Sequence, residues 1–110
     1  MNTNDPVVVT GLGAVSPLGV GVQVNWDRVT AGQSGVVLNT RFDVEAFGCK
    51  VAGLVPTKAT DPHGFDPLDI LEAKDVKKND LFIQYALAAT EEALRQAGWR
   101  ENRLQPRPDP

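Results

Sequence analysis

The chain has 110 residues and 42% hydrophobic content, enough for one small domain and too apolar for a disordered body. Its formal net charge of −3 removes the basic face that a nucleic-acid binder needs, and no apolar run approaches the ~20 residues of a membrane span. A single cysteine permits no internal disulfide, so a soluble, reducing, cytoplasmic setting is the expectation.

The opening, Met1 to Pro6, holds no basic residue and no long apolar segment, unlike a secretory signal. Val7, Val8 and Val9 follow. Branching at Cβ restricts χ1 and favours extended backbone, and the absence of polar alternation predicts a strand buried on both faces, as in a central parallel sheet. Gly11, Gly13, Gly19 and Gly21 then let the backbone come close to a neighbour, and Pro17 keeps a helix from running through. Gly11-Leu12-Gly13 opens like a dinucleotide fingerprint. That motif needs a further glycine at position 16, opening a helix whose N-terminus takes the pyrophosphate. Ser16 and Pro17 stand there instead, and no lysine sits at phosphate-loop spacing, so a nucleotide-binding module is disfavoured.

Val22 to Ala31 predicts a short amphipathic helix, with Val22, Trp26 and Val29 on one face that reads as core. Gly32 suits its C′ position. Val36-Val37-Leu38 reads as a short strand, and Cys49 to Val55 as another that ends at Pro56. Cys49 lacks what activates a thiol. Lys50 is adjacent in sequence, but neighbouring side chains on a strand point to opposite faces. Pro56 to Leu68 reads as a loop, broken by Pro56, Pro62, Gly64 and Pro67. His63 lies at its tip with no second histidine or cysteine at metal-ligand spacing, so a solvated side chain is expected, and no metal or cofactor.

Asp69 to Ala73 reads as a helical turn. From about Lys78 to Ala97, starting as early as Asp75, the pattern predicts a long helix. Ala86, Ala89, Ala93 and Ala97 form a smooth stripe that lets a neighbouring element approach, flanked by the bulk of Phe82, Tyr85 and Leu94. Glu91 and Arg95 stand in the favourable order for an ion pair. Gly98 ends the helix, and Trp99 folds back as a hydrophobic cap. Lys74, Lys77 and Lys78 crowd its front, interrupted by Asp75 and Asp80. Exposed cations there oppose the macrodipole by ~0.3–1 kcal/mol each. By residue type alone they read as a solvated helix start. Arg100 to Pro110 is polar and proline-rich and reads as a disordered tail.

The string from Val7 to Gly19, Val-Val-Val-Thr-Gly-Leu-Gly-Ala-Val-Ser-Pro-Leu-Gly, resembles the first strand and turn of the β-ketoacyl-acyl-carrier-protein synthases, condensing enzymes of the thiolase-like fold. Ala31-Gly32-Gln33-Ser34-Gly35, Arg41-Phe42-Asp43, Lys50-Val51-Ala52-Gly53 and Asp80-Leu81-Phe82-Ile83-Gln84-Tyr85-Ala86 continue the resemblance in the family's order up to Trp99. It is greatest to the type II, long-chain elongating synthases of bacterial fatty-acid synthesis. The resemblance implies an α/β chain: residues 1–99 as the N-terminal portion of a truncated thiolase-like layered αβαβα fold, and residues 100–110 as a tail outside the family pattern.

It also implies decarboxylative Claisen condensation with malonyl-acyl-carrier protein, acyl carrier protein as partner, no cofactor, and a homodimer in the full-length protein. That chemistry needs an activated cysteine and further polar groups, usually histidines, preorganised about the reacting carbonyl. One cysteine outside any Thr-Ala-Cys-type segment and one loop histidine do not supply that set. No catalytic residue is therefore assigned in this chain, which is expected to be inactive alone. Lys74, Lys77 and Lys78 match the positions where type II synthases receive their acidic carrier protein, and complementary charge there raises the association rate and orients the partner. A non-catalytic, chain-length-factor-like or structural subunit is the alternative. On either reading the valines want sheet neighbours, and the chain alone is expected to be poorly soluble or oligomeric.

Overall fold

A computed structural model describes residues 4–99, so the expected tail at residues 100–110 lies outside the described residues. In chain order the elements are β1 (Val15–Ser16), β2 (Gly19–Val20), α1 (Val22–Thr30), β3 (Val36–Leu38), β4 (Val51–Gly53), a 3₁₀ turn (Pro67–Asp69), α2 (Ala73–Val76) and α3 (Leu81–Gln96). β1 and β2 pair antiparallel across the Pro17-Leu18 turn, with Val15 opposite Val20 and Ser16 opposite Gly19. β3 and β4 pair antiparallel with Val37 opposite Ala52. A parallel bridge from Thr57 to Phe65 closes the loop after β4.

Helices α1 and α3 both form within the stretches that the apolar period marks, and both stop by the same device. Gly32 has φ +77 and Gly98 has φ +84, values that L side chains rarely adopt. At the end of α1 the Gly32 N–H donates to the Val29 carbonyl (3.1 Å) and the Gln33 N–H to the Arg28 carbonyl (2.9 Å). At the end of α3 the Gly98 N–H donates to Arg95 (3.1 Å) and the Trp99 N–H to Leu94 (2.9 Å). Each crossed pair is a Schellman motif, which satisfies carbonyls that the helix end would orphan. Arg95 and Glu91 meet at 3.4 Å, as their spacing predicts.

Four expectations need correction. Val7, Val8 and Val9 form no strand and are 86%, 67% and 77% exposed. Propensity alone cannot hold a strand without a ladder partner, and both hairpins are built from later residues. Trp26 and Val29 are 62% and 55% exposed rather than core. With Leu18 and Val22 they line an open hollow of about 370 Å³, because the ties that hold α1 grip its start and the Arg28 side chain instead. The long helix starts later than expected. Asp80, with φ −66 and ψ 160, is extended backbone, so the chain breaks between the separate short helix α2 and α3. Trp99 remains 45% exposed and covers the helix end only partly.

The best-enclosed apolar side chains are Phe65 (7% exposed) and Ala88 (8%), and among the described residues no side chain falls below 2%. Phe65 stands edge-on to Tyr85 with ring centroids 5.0 Å apart, joining the loop after β4 to α3.

Candidate functional site

The glycine-rich turn lies along α3. A β-carbon at Gly11 would overlap the Ala93 carbonyl, and one at Gly13 the Ala89 carbonyl. The alanine stripe thus serves close approach at Ala89, Ala93 and Ala97, while Ala86 remains exposed. Side chains beside the stripe receive the turn's backbone. Gln96 Oε1 accepts the Leu12 N–H at 2.7 Å. Glu92 Oε1 accepts the Ala14 N–H at 3.0 Å, and its Oε2 accepts the Val22 N–H at 2.9 Å. A carboxylate from α3 therefore occupies the positive end of α1.

That geometry answers the nucleotide reading, because the helix N-terminus a pyrophosphate would use already holds Glu92. Ser16, where a further fingerprint glycine would stand, serves the β1–β2 turn instead. Its Oγ donates to Asn25 Oδ1 and accepts the Leu18 N–H at 3.0 Å. Asn25 Nδ2 in turn donates to the carbonyls of Gly19 (3.0 Å) and Gly21 (2.7 Å). Glu92 was not legible as a functional position. Its signal was the polar pair Glu92 and Gln96, four apart beside alanines at the same spacing.

Arg28 reaches from α1 to the loop after β4 with both guanidinium nitrogens, Nη1 at 2.6 Å and Nη2 at 3.0 Å from the carboxylate oxygens of Asp61. Nη1 also donates to the Leu18 carbonyl at 2.8 Å. The Arg28 hydrogen bonds, and then the His63 N–H at 2.9 Å, hold the Asp61 carboxyl down at about 2. Asp61 in turn raises the already high pKa of Arg28. His63 thus acts through its backbone: its side chain is exposed, and its carbonyl accepts the Val20 N–H at 2.9 Å.

Cys49 is exposed, with its Sγ 3.4 Å from the Val51 carbonyl. The Lys50 ammonium donates to the carbonyls of Val44 (3.3 Å), Glu45 (2.9 Å) and Phe47 (2.9 Å). A cavity of about 620 Å³ opens between the β3–β4 hairpin and α3, walled in part by Arg28, Asp61, Arg41 and Tyr85. Neither Cys49 nor His63 lines it.

Lys74 lies in α2, Lys77 is its C-cap residue and Lys78 follows. All three are exposed. Lys74 Nζ stands 3.4 Å from Glu72 and Lys78 Nζ 3.9 Å from Asp75, with lysine side chains 73% and 71% exposed. Such surface pairs are worth ~0–1 kcal/mol and leave the ammonium groups open to a partner. Lys77 makes no ion pair among the described residues. Because α2 is separate, the cations sit at or near its carbonyl end rather than in the first turn of α3, which removes the dipole conflict expected from the sequence.

The family described as Beta-ketoacyl synthase, N-terminal domain, matches residues 4–108. The 3-oxoacyl-acyl-carrier-protein synthase 2 of Vibrio cholerae serotype O1 is 44% identical over 96 residues, which cover 87% of this chain and 22% of that protein. The protein of the same name from Rhizobium meliloti is 42% identical over 94 residues, 86% of this chain and 22% of its own length. Among solved structures, the ishigamide ketosynthase/chain length factor superposes with a TM-score of 0.70 at 35% identity, covering 86% of this chain and 22% of that one. The chain thus spans about a fifth of the length of the relatives it matches. Among the described residues no helix is long and apolar enough to cross a membrane.

Proposed function

The chain belongs to the β-ketoacyl synthase family, within its N-terminal domain, and from that premise we propose that it serves a 3-oxoacyl-acyl-carrier-protein synthase 2 as scaffold and partner dock, not as reactive centre. The full-length protein would elongate fatty acyl chains by decarboxylative Claisen condensation with malonyl-acyl-carrier protein, as a cytoplasmic homodimer. Identity of 44% across 87% of the chain to a synthase 2 carries this reading. The surroundings of Cys49 and His63 agree with it. Condensation needs a thiolate with a lowered pKa and donors aimed at the developing oxyanion. Cys49 is exposed beside a lysine engaged elsewhere, and His63 is an exposed loop residue. An elongation assay on the purified 110-residue chain, with acyl- and malonyl-carrier proteins supplied, should show no turnover. Turnover would overturn the scaffold reading.

Lys74, Lys77 and Lys78 are the proposed dock for acyl carrier protein. Their support is exposure, their place just before Asp80-Leu81-Phe82-Ile83-Gln84-Tyr85, and the weakness of their pairing. Reversing all three to glutamate in the full-length protein should slow association with the acidic carrier roughly 10–100-fold at low salt, with most of the effect lost at high salt. Stopped-flow measurement finding an unchanged rate would remove the dock. A chain-length-factor-like subunit is the second reading, favoured by the structural neighbour, which pairs a ketosynthase with a chain length factor. Elongation by the full-length protein decides between the two.

A further inference from the structure

We propose that Gln84 is the positioning residue of the lysine dock: its carboxamide fixes α2 against the first turn of α3 and so sets where Lys74, Lys77 and Lys78 stand. The inference rests on the docking reading above. Gln84 is only 4% exposed, more enclosed than Phe65 or Ala88. A buried primary amide is unfavourable unless its donors are used. Here both are: Nε2 donates to the Val76 carbonyl at 3.2 Å and to the Asn79 carbonyl at 2.8 Å. Val76 ends α2, where among the described residues its carbonyl otherwise receives only the Asn79 N–H at a long 3.4 Å, and Asn79 lies in the break before α3. One side chain of α3 therefore caps the helix that carries the lysines.

The segment's own bonds cannot do this. The Asp75 N–H donates to the Glu72 carbonyl (2.9 Å), the Lys78 N–H to Asp75 (3.1 Å), the Asn79 N–H to Val76 (3.4 Å) and the Asn79 side-chain amide to Asp75 (2.8 Å), all within residues 72–79, so none ties α2 to α3. The ion pairs of Lys74 and Lys78 are also internal to that stretch. Gln84 Oε1, by contrast, is buried and finds no donor among the described residues. The amide is thus held by what its nitrogen donates. A residue selected only to fill the space would not carry that orphaned oxygen, and Met would fill the same volume without it.

The test is Gln84→Met in the full-length protein. Amide hydrogen exchange across residues 75–79 should quicken about tenfold, while exchange in the middle of α3 stays unchanged. Elongation kinetics should show KM for carrier-protein substrates raised about fivefold with kcat unchanged, and no change for small thioester substrates lacking the carrier. A general loss of structure would lower kcat for both substrate kinds and would overturn the proposal. So would unchanged exchange at 75–79 and unchanged carrier KM. Should Gln84→Met fail to fold, Gln84→Asn keeps a neutral amide but draws its donors back by one methylene. Collapse of that variant too would mean that the side chain supports all of α3, and would equally overturn the local role. The triple lysine reversal separates the two ideas. If it leaves carrier KM unchanged the dock itself fails, and if it raises KM while Gln84→Met does not, only the positioning role fails.

Discussion

Glu92 joins α3, the glycine-rich turn and the start of α1 through a single carboxylate. Replacing a side chain that caps a helix costs about 0.5–2 kcal/mol, and Glu92→Ala also strips the acceptor from Ala14. We expect Glu92→Ala to lower stability by roughly 1–3 kcal/mol in urea unfolding, and Glu92→Gln, which keeps one acceptor, to cost visibly less. Equal midpoints for wild type and Glu92→Ala would show that the clamp contributes nothing. The glycines it closes over are not equivalent. An alanine at Gly13 meets the rigid backbone of Ala89, an overpacking expected to cost ~1–3 kcal/mol. At Gly48 a β-carbon finds nothing within 4 Å and φ is not positive, so Gly48→Ala should leave the melting temperature unchanged. A Gly13→Ala protein as stable as Gly48→Ala would contradict the close approach. Sequence reading captured the small residues on both sides of this contact, because glycine and alanine are themselves the signal. It missed Glu92, since a glutamate on a helix reads as solvated until the fold brings backbone donors over it.

The Arg28–Asp61 contact straps α1 to a loop that periodicity could not read. That loop takes its order from backbone bonds, such as the Phe65 N–H to the Pro56 carbonyl at 2.7 Å and the Gly64 N–H to Asp61 at 2.8 Å. No spacing of apolar residues announces such bonds, so the residues from 56 to 68 read as a loop and Phe65 carries no sequence signal of its burial. The helices were legible because α1 and α3 carry the 3.6-residue period and because glycine marks both ends. The strap makes acid sensitivity a test. Asp61 titrates at about 2 in the folded chain against roughly 3.9 in an unfolded one. The folded state therefore binds fewer protons between those values, and stability falls as pH drops through the window. Above pH 4 the contribution is fully present, and below about 2 it is gone. Urea midpoints measured from pH 6 down to 2 should decline less steeply for Asp61→Asn than for wild type across that interval. Parallel declines would mean that another carboxylate carries the acid response.

Across the chain, many large apolar side chains stay exposed among the described residues. Three of them, Val7 to Val9, are consecutive and lie outside any strand. Apolar β-branched residues with free backbone donors and acceptors template pairing with another chain. The 110-residue protein should therefore self-associate with rising concentration in sedimentation velocity, and Val8→Lys should shift it toward monomer. At 67% exposure the lysine costs the isolated chain little, so the helical signal should be unchanged. A monomer at every concentration would remove the argument. The same substitution should reverse its sign in a polypeptide spanning the rest of the relatives' length. If the valines there gain ladder partners and covering layers, burying an ammonium at position 8 becomes costly and Val8→Lys should lower the yield of folded protein. Benign behaviour in both settings would mean that this segment is a free terminus and not a strand awaiting its sheet.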